Sequence, residues 1–458
     1  MATMNQAVLT PGNGSFDAYP PPTRRTTLAY RALVLFTFLY FFRPEDFIPG
    51  LSSIPIGKIA GGIALLALIF GMKRKERGQL PFEAKVLLVL LAHMILTIPF
   101  AFWRGGSFDT VINKFSKGVI VALLICLVIT KMGQLRKLLY IQASAVALLT
   151  VGSILVRRTM DSGRLMGIQK GIMENPNDLA INIAINFPLA MAFIFADKNT
   201  LRKVLWCFSL FALLYGVVAT YSRSGMIAMA ITCLMCLWEF GVKGKRFMLL
   251  GATAIAGVLA VGFLAASPRY LSRIASLVVR PAGADVNGSM EEHGEGSLQA
   301  RSTLLKESVR LMFSHPVFGV GPGNFPVVTE EWRVAHNTYT ELGAEAGIPG
   351  LVLFLILLGS SMRRLRSIRK FPSYKADPEI RLWASALWAA VTAYAAGAIF
   401  ASTEYNLFPY FIVGYICALY QIATKGEPAS GAKAQAGDGG RQESGHVGDK
   451  ERELAWSR

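Results

Sequence analysis

Apolar residues gather in long continuous runs that recur along most of the chain. A helix needs roughly 20 mainly apolar residues to cross a bilayer, and only helices or closed barrels satisfy their backbone in lipid. Because the runs do not alternate with polar residues, they predict helices. We place the spans at 28–42, 54–71, 84–102, 115–130, 138–156, 179–196, 204–220, 224–241, 247–266, 348–362, 384–401 and 407–423.

Every second connection between these runs is basic. The positive-inside rule places such connections in the cytoplasm, so the pattern predicts about twelve spans with both termini inside. The net charge of +18 is therefore explained by topology, since nucleic-acid binding would concentrate it on one segment. The basic connections contain Lys73-Arg74-Lys75, Arg136-Lys137, Arg202-Lys203, Lys245-Arg246 and Arg363-Arg364.

The chain is thus predicted to be an all-α polytopic integral membrane protein. We divide it into a disordered tail (1–27), nine spans (28–266), a large outer loop (267–347), three spans (348–423) and a second tail (424–458). In the loop we expect a flexible flap over 281–297 and an amphipathic helix over 299–313, with Leu304, Leu305 and Ser308 on its apolar side. A glycine-rich turn and a helical segment around His336 follow.

The composition offers no sign of a metal site or a disulfide framework. The five cysteines (Cys126, Cys207, Cys233, Cys236 and Cys417) all fall within predicted spans, where core packing accounts for them. The Gly319-Val320-Gly321-Pro322-Gly323 run lacks the lysine and hydroxyl residue of a phosphate loop. We expect chemistry without a metal or other cofactor.

His336 is the strongest candidate for chemistry, because imidazole moves protons near neutral pH. It is expected at the outer membrane edge, either as a general base or as an interfacial residue bonded to backbone. His93, within an apolar span, is expected to be a hydrogen-bonded core residue.

Two arginines on the same side are candidate phosphate ligands. Arg223 ends a connection of only a few residues between two spans, where it either holds phosphate oxygens or reaches toward lipid headgroups. Arg301 opens the amphipathic helix and either adds a second phosphate contact or is a solvated surface charge.

The sixth span carries polar residues on one face. Asp178, Asn182 and Asn186 recur every four residues, and such residues normally face a protein interior or a wet cavity. Asp178 is a candidate helix N-cap. Glu174, in the preceding Asn-Pro-Asn turn, orients His336, holds an acceptor sugar or only shapes the turn.

Three segments together resemble the O-antigen ligase and O-antigen polymerase superfamily of bacterial envelope enzymes. The likeness covers roughly residues 175–360 and is moderately specific when the last two segments are taken as a pair. The segments are Thr220-Tyr221-Ser222-Arg223-Ser224-Gly225, Arg301 through His315-Pro316-Val317-Phe318-Gly319-Val320-Gly321-Pro322-Gly323-Asn324-Phe325, and His336-Asn337-Thr338-Tyr339 through Glu345-Ala346-Gly347-Ile348-Pro349-Gly350-Leu351.

The resemblance implies a GT-C-like architecture in the bacterial inner membrane, with an active site facing the periplasm. It implies transfer of a glycan from undecaprenyl diphosphate to a sugar hydroxyl, with inversion and without a metal. His336 matches the proposed base of the family, while Arg223 and Arg301 match its diphosphate-binding arginines. Glu174, Asn337 and Asp178 are further candidates for contacting the acceptor or orienting the base.

The leading interpretation is ligation of a lipid-linked glycan to lipid A–core. A polymerase that extends another lipid-linked glycan and an oligosaccharyltransferase that modifies a protein hydroxyl need the same residues. A transporter is the alternative from another class. It requires polar residues through the full depth of several spans, whereas here we expect them near the outer face.

Overall fold

The protein is represented by a computed structural model that describes residues 24–44, 56–71, 80–160, 163–167, 175–246, 292–330 and 333–425. In these ranges the regular structure is helical, apart from an isolated bridge between Thr159 and Leu165. The helices are α1 (Arg24–Phe42), α2 (Ile56–Gly71), α3 (Phe82–Thr97), α4 (Arg104–Val128), α5 (Met132–Leu155), α6 (Pro176–Ala196), α7 (Thr200–Ala219), α8 (Arg223–Val242), α9 (Glu292–Ser314), α10 (Phe325–Val328), α11 (Thr338–Ile368), α12 (Pro372–Ala376), α13 (Pro378–Gly397) and α14 (Phe408–Lys425).

The described helices make this chain a polytopic membrane protein. Seven of them, α3 (with a short extension to Phe100), α4, α5, α6, α7, α8 and α11, are long and apolar enough to cross a membrane. Shorter apolar helices cover Thr27–Phe42 and Ile56–Phe70. Each predicted span coincides with a helix except 247–266, which lies outside the described residues along with most of both predicted tails.

Two helices form the interior of the bundle. In the most apolar 18-residue stretch of α6, 83% of the residues are buried, and the helix packs against α5, α7, α8 and α13. α14 is buried along most of its length and packs against α4, α5, α11 and α13. By contrast, only 28% of the residues in the corresponding stretch of α7 are buried, so most of the apolar surface of α7 faces the lipid around the bundle.

A wholly buried polar network joins α5, α6 and α14. Gln142 Nε2 donates to Asn186 Oδ1 (2.8 Å), and the Tyr415 hydroxyl donates to Gln142 Oε1 (2.6 Å). Asn186 Nδ2 donates to the Asn182 carbonyl (2.8 Å). As expected, the polar face of α6 points into protein. Polar groups are not confined to the outer end of the bundle, however, because buried groups that bond one another are tolerated deeper in it.

Ion pairs stabilise the end of the bundle that carries the basic connections. Glu239 accepts hydrogen bonds from Lys243 Nζ (2.7 Å) and Arg369 Nη2 (2.9 Å), and Arg364 pairs with Glu83. Both carboxylates are nearly inaccessible to solvent. Part of the basic pattern that predicts the topology therefore also has a packing role.

A kink at Gly347 divides α11 into a short N-terminal segment, which we call the outer segment, and a long C-terminal segment. Gly347 has φ 69°, and a Cβ there would lie 2.4 Å from the Val317 carbonyl oxygen, so glycine is needed. His93 Nε2 donates to the Ala346 carbonyl beside the kink (2.8 Å), which confirms His93 as a hydrogen-bonded residue of the helix bundle.

α9 packs against the outer segment of α11 and departs from two expectations. It begins at Glu292, within the stretch predicted to be a flap. Glycines in that stretch lower its helix propensity, so the sequence did not indicate the first turns of the helix. The rest of that flap lies outside the described residues. Leu304, Ser308 and Leu311 are buried, whereas Leu305, predicted on the same face, is 39% exposed.

Candidate active site

His336 lies in an irregular segment before α11, in a backbone conformation that is uncommon for residues other than glycine. Its φ is 55°, in the left-handed region where histidine, asparagine and aspartate are the more frequent non-glycine residues. The segment around it was predicted to be helical, but α11 begins only at Thr338. The helix starts there because the side chain of Asn337 caps it, accepting from the N–H groups of Tyr339 (3.0 Å) and Thr340 (3.1 Å). Asn337 therefore has a structural role.

The backbone after His336 is bound to the connection between α13 and α14. The Thr338 N–H donates to the carbonyls of Ala398 and Ala401, both at 2.9 Å. The Thr338 hydroxyl donates to the Ala401 carbonyl (2.6 Å) and accepts from the N–H of Thr403 (2.9 Å). Residues more than 60 positions apart in the chain thus fix where His336 stands.

The backbone before His336 is held by a carboxylate of α11. The N–H of Ala335 donates to Glu341 Oε2 (2.7 Å), and the hydroxyl of Ser402 donates to the same oxygen. Glu341 is 3% exposed. We call Glu341, Thr338 and the connection 398–403 the clamp of His336.

The surroundings of His336 keep its imidazole neutral. Burial, as the largest cause, and the positive charges of Arg301 and Arg333 together lower the pKa of His336 to about 4. The ring makes no hydrogen bond to any residue in the described part of the chain. At neutral pH it is unprotonated and able to accept a proton.

Both predicted phosphate ligands lie in the same region. Arg301, on α9, is half-buried, and its pKa is lowered by burial and by the charge of Arg223. Because the charge of Arg301 in turn acts on His336, the structure brings all three residues together. Arg223 begins α8, where the Ser222 side chain caps the helix by accepting from the N–H of Gly225 (3.1 Å).

The turn that carries Arg223 is fixed by an arginine of the connection between α5 and α6. Arg164 Nε donates to the Thr220 carbonyl (3.0 Å), and Arg164 Nη2 donates to Asn177 Oδ1 (3.1 Å). The Ser222 hydroxyl also donates to Asn177 Oδ1 (2.6 Å). This connection therefore positions Arg223 through its own contacts.

Asp178 and Glu174 are the remaining candidates. Asp178 is not the N-cap of α6, because Pro176 occupies the first helical position and Asn175 caps the helix by accepting from the N–H of Asn177 (2.9 Å). Asp178 lies within electrostatic range of Glu341. Glu174 lies outside the described residues.

A second buried carboxylate, Glu345, was missed at the sequence level. It accepts from the N–H groups of Gly323 (2.7 Å) and Phe325 (2.9 Å) and from the Tyr405 hydroxyl (2.5 Å). It thereby binds the glycine-rich turn to α11. The turn approaches so closely that a Cβ at Gly319 (φ 66°) would lie 2.3 Å from the Glu345 carbonyl carbon. A carboxylate three residues before the predicted span at 348–362 was the available signal.

Glu345→Ala is expected to destabilise the protein by roughly 3 kcal/mol, because two backbone N–H groups and a buried hydroxyl lose their acceptor. Thermal unfolding in detergent should show a lower midpoint for this variant. Glu330→Ala, at an exposed position, is the control and should leave the midpoint unchanged. An unchanged midpoint for Glu345→Ala would mean that the turn does not depend on this carboxylate.

Comparison with known proteins addresses the same part of the chain. Residues 208–355 match the sequence model of a family described as O-Antigen ligase, and this range includes Arg223, Arg301 and His336. The match confirms that this part of the chain resembles the O-antigen ligase and polymerase superfamily. It indicates an enzyme of the ligase or glycosyltransferase type.

Two further comparisons add little. No curated protein matches the chain in sequence. One structural match of the chain comes from a study titled "Structural coordination of polymerization and crosslinking by a peptidoglycan synthase complex". It has 16% sequence identity and a TM-score of 0.41, with coverage of 74% of this chain and 95% of that chain. At that TM-score the likeness supports no inference about fold or function.

Proposed function

We propose that this protein transfers a glycan from undecaprenyl diphosphate to a sugar hydroxyl, with lipid A–core as the acceptor. One observation carries the proposal: the half-buried, neutral imidazole of His336 lies within electrostatic range of Arg301, which in turn lies within electrostatic range of Arg223. A neutral imidazole is suited to deprotonating a hydroxyl, and a pair of guanidinium groups is suited to a diphosphate. The superfamily match over the same residues supports the assignment.

In the proposed reaction, an imidazole nitrogen of His336 takes the proton of the acceptor hydroxyl as its oxygen attacks the anomeric carbon. The bond from that carbon to the diphosphate oxygen breaks, and undecaprenyl diphosphate leaves with the electron pair. A single direct displacement inverts the anomeric configuration. Arg223 and Arg301 stabilise the charge on the leaving group, a role that needs no metal ion. The N-terminal N–H groups of α8 add to this positive potential.

The same arrangement couples the base to the donor. Without donor, the arginines and burial weaken His336 as a base. A bound diphosphate offsets the positive charge and raises the pKa of His336 toward its ordinary value near 6.5. The imidazole then becomes a stronger base when the leaving group is in place.

This coupling predicts different pH profiles for the two kinetic constants. The profile of kcat/KM for the donor reports the free enzyme, so its acidic limb should fall near pH 4, where His336 becomes protonated. The profile of kcat reports the bound complex, so its acidic limb should lie at higher pH. Initial rates from pH 4 to 8 in detergent would measure both. If the acidic limbs of the kcat and kcat/KM profiles fell at the same pH, the result would contradict the coupling.

The proposal includes the topology. We infer about twelve spans with a GT-C-like arrangement in the bacterial inner membrane, cytoplasmic termini and a periplasmic loop over 267–347 that carries the catalytic histidine. Its support is that the outer connections predicted from charge lie together in the structure: Arg164 contacts Thr220, and Thr338 contacts Thr403. Thiol labelling from either side of the membrane tests this orientation.

A polymerase is the second candidate, because the superfamily includes enzymes that extend lipid-linked glycans. The deciding experiment supplies purified protein with an undecaprenyl-diphosphate-linked glycan and either lipid A–core or a second lipid-linked repeat, in the presence of a chelator. Transfer to lipid A–core supports ligation, whereas longer lipid-linked chains identify a polymerase. Transfer to neither acceptor would overturn both and bring a protein acceptor or a transport function forward.

A further inference from the structure

We propose that Glu341 is the positioning residue of the catalytic histidine, holding the segment before His336 in the geometry that proton transfer requires. This inference rests on the proposed function, in which His336 is the base. Glu341 does not touch the reacting atoms in this assignment. It acts through the backbone of Ala335 and through Ser402.

The contacts of Glu341 are those of a bridging acceptor. One carboxylate oxygen, Oε2, receives the N–H of Ala335 and the hydroxyl of Ser402, which belong to two different connections. Glu341 also lies in the first turn of α11, where the N-terminal end of the helix favours a negative charge. One side chain thus ties together the His336 segment, the helix start and the connection between α13 and α14.

The conformation of His336 explains why such a tie is needed. A left-handed conformation is unfavourable for a non-glycine residue and persists only where surrounding contacts impose it. The contacts of Thr338 fix the backbone on one side of His336. Glu341 provides the corresponding contact on the other side, and no second side chain among the described residues bonds the Ala335 N–H.

A second buried carboxylate one turn further along α11 makes the assignment specific. Glu345 bonds the glycine-rich turn and Tyr405, and it makes no bond to the His336 segment within the described ranges. Glu345 therefore binds the glycine-rich turn, whereas Glu341 binds the segment that carries His336.

The kinetic test compares Glu341→Gln with wild-type enzyme in the transfer assay. Glutamine keeps the size of the side chain and one acceptor oxygen but replaces the other carboxyl oxygen with an NH2 donor, so the two donors are held more weakly. A small displacement of a catalytic group costs up to roughly 100-fold in rate. We expect kcat to fall by about that factor, with the KM for the donor unchanged, because the arginines are not disturbed. Glu307→Gln is the matched control, since Glu307 pairs with Arg310 on the exposed side of α9.

A second readout does not depend on turnover. Diethyl pyrocarbonate modifies accessible neutral histidines, and mass spectrometry of peptides separates His336 from the exposed His315 at the end of α9. Loss of the Glu341 contacts should let the segment open locally and raise the modification rate of His336 by roughly threefold, with His315 unchanged. Ser402→Ala removes one of the two donors and should shift both readouts in the same direction by a smaller factor.

The outcomes separate the two proposals. Wild-type kcat together with a wild-type modification rate at His336 in Glu341→Gln would overturn the positioning role. If Glu341→Gln does not fold, Ser402→Ala decides the question, and wild-type values for that variant would overturn it. If the wild-type enzyme transfers no glycan, the proposed function fails while the modification rates still test whether Glu341 holds His336.

Discussion

His336→Ala is expected to reduce glycan transfer by about 1000-fold, within the range of 10²–10⁴ that a positioned general base contributes. The variant should fold and bind the lipid-linked donor, because the His336 ring makes no hydrogen bond to another described residue and alanine adds no bulk. The measurement is the initial rate of transfer by purified protein, with donor binding measured separately.

The control for this prediction is His315→Ala. His315 follows α9 and is exposed, and its ring forms a hydrogen bond with the neighbouring Ser314 hydroxyl (3.0 Å). It should keep the wild-type rate. Rapid transfer by His336→Ala would remove the proposed base and require another group to accept the proton.

The second large effect is expected from the arginines. Arg223→Lys and Arg301→Lys should each lower kcat/KM by about 100-fold, since an ammonium group cannot replace the two parallel hydrogen bonds of a guanidinium to phosphate oxygens. Arg310→Lys on the same helix as Arg301 is the matched control, because that arginine pairs with Glu307 at the surface. Near-normal turnover of Arg223→Lys would favour contact with lipid headgroups instead.

The Arg301→Gln variant tests the effect of Arg301 on the pKa of His336 separately from its proposed role in phosphate binding. The charge of Arg301 lowers the pKa of His336, so its removal should raise that pKa, and the acidic limb of kcat/KM should move upward from about pH 4. Burial is the larger cause and remains, so the limb should stay below the ordinary histidine value. An unmoved limb would mean that Arg301 does not influence the imidazole.

The helices could be predicted from sequence because apolar runs and basic connections act locally. The positions of Arg223, Arg301 and His336 at one site followed from topology, since each was predicted on the same side of the membrane. The exposure of Leu305 could not be predicted, because it depends on where the outer segment of α11 lies. The burial of polar residues such as Gln142 and Asn186 deep in the bundle could not be predicted either, because their hydrogen-bond partners lie on other helices.

The support of the site was also beyond sequence reasoning. Glu341 was not singled out in the sequence, because its role depends on a hydroxyl from a distant connection. Asp178 looked like a helix cap, but a proline three residues into the turn motif moved the cap to Asn175. Side chains that touch substrate carry recognisable chemistry, whereas side chains that hold backbone in place are identified by their contacts.

The clamp of His336 has a consequence for building chimeras of this enzyme. Residues 208–355 carry both arginines and the histidine, yet Ser402 and Thr403 lie beyond that range, and Arg164 and Asn177 lie before it. Grafting that range alone into a related scaffold would transplant the reactive side chains without the parts that hold them. A portable unit must extend from the connection before α6 through the start of α14.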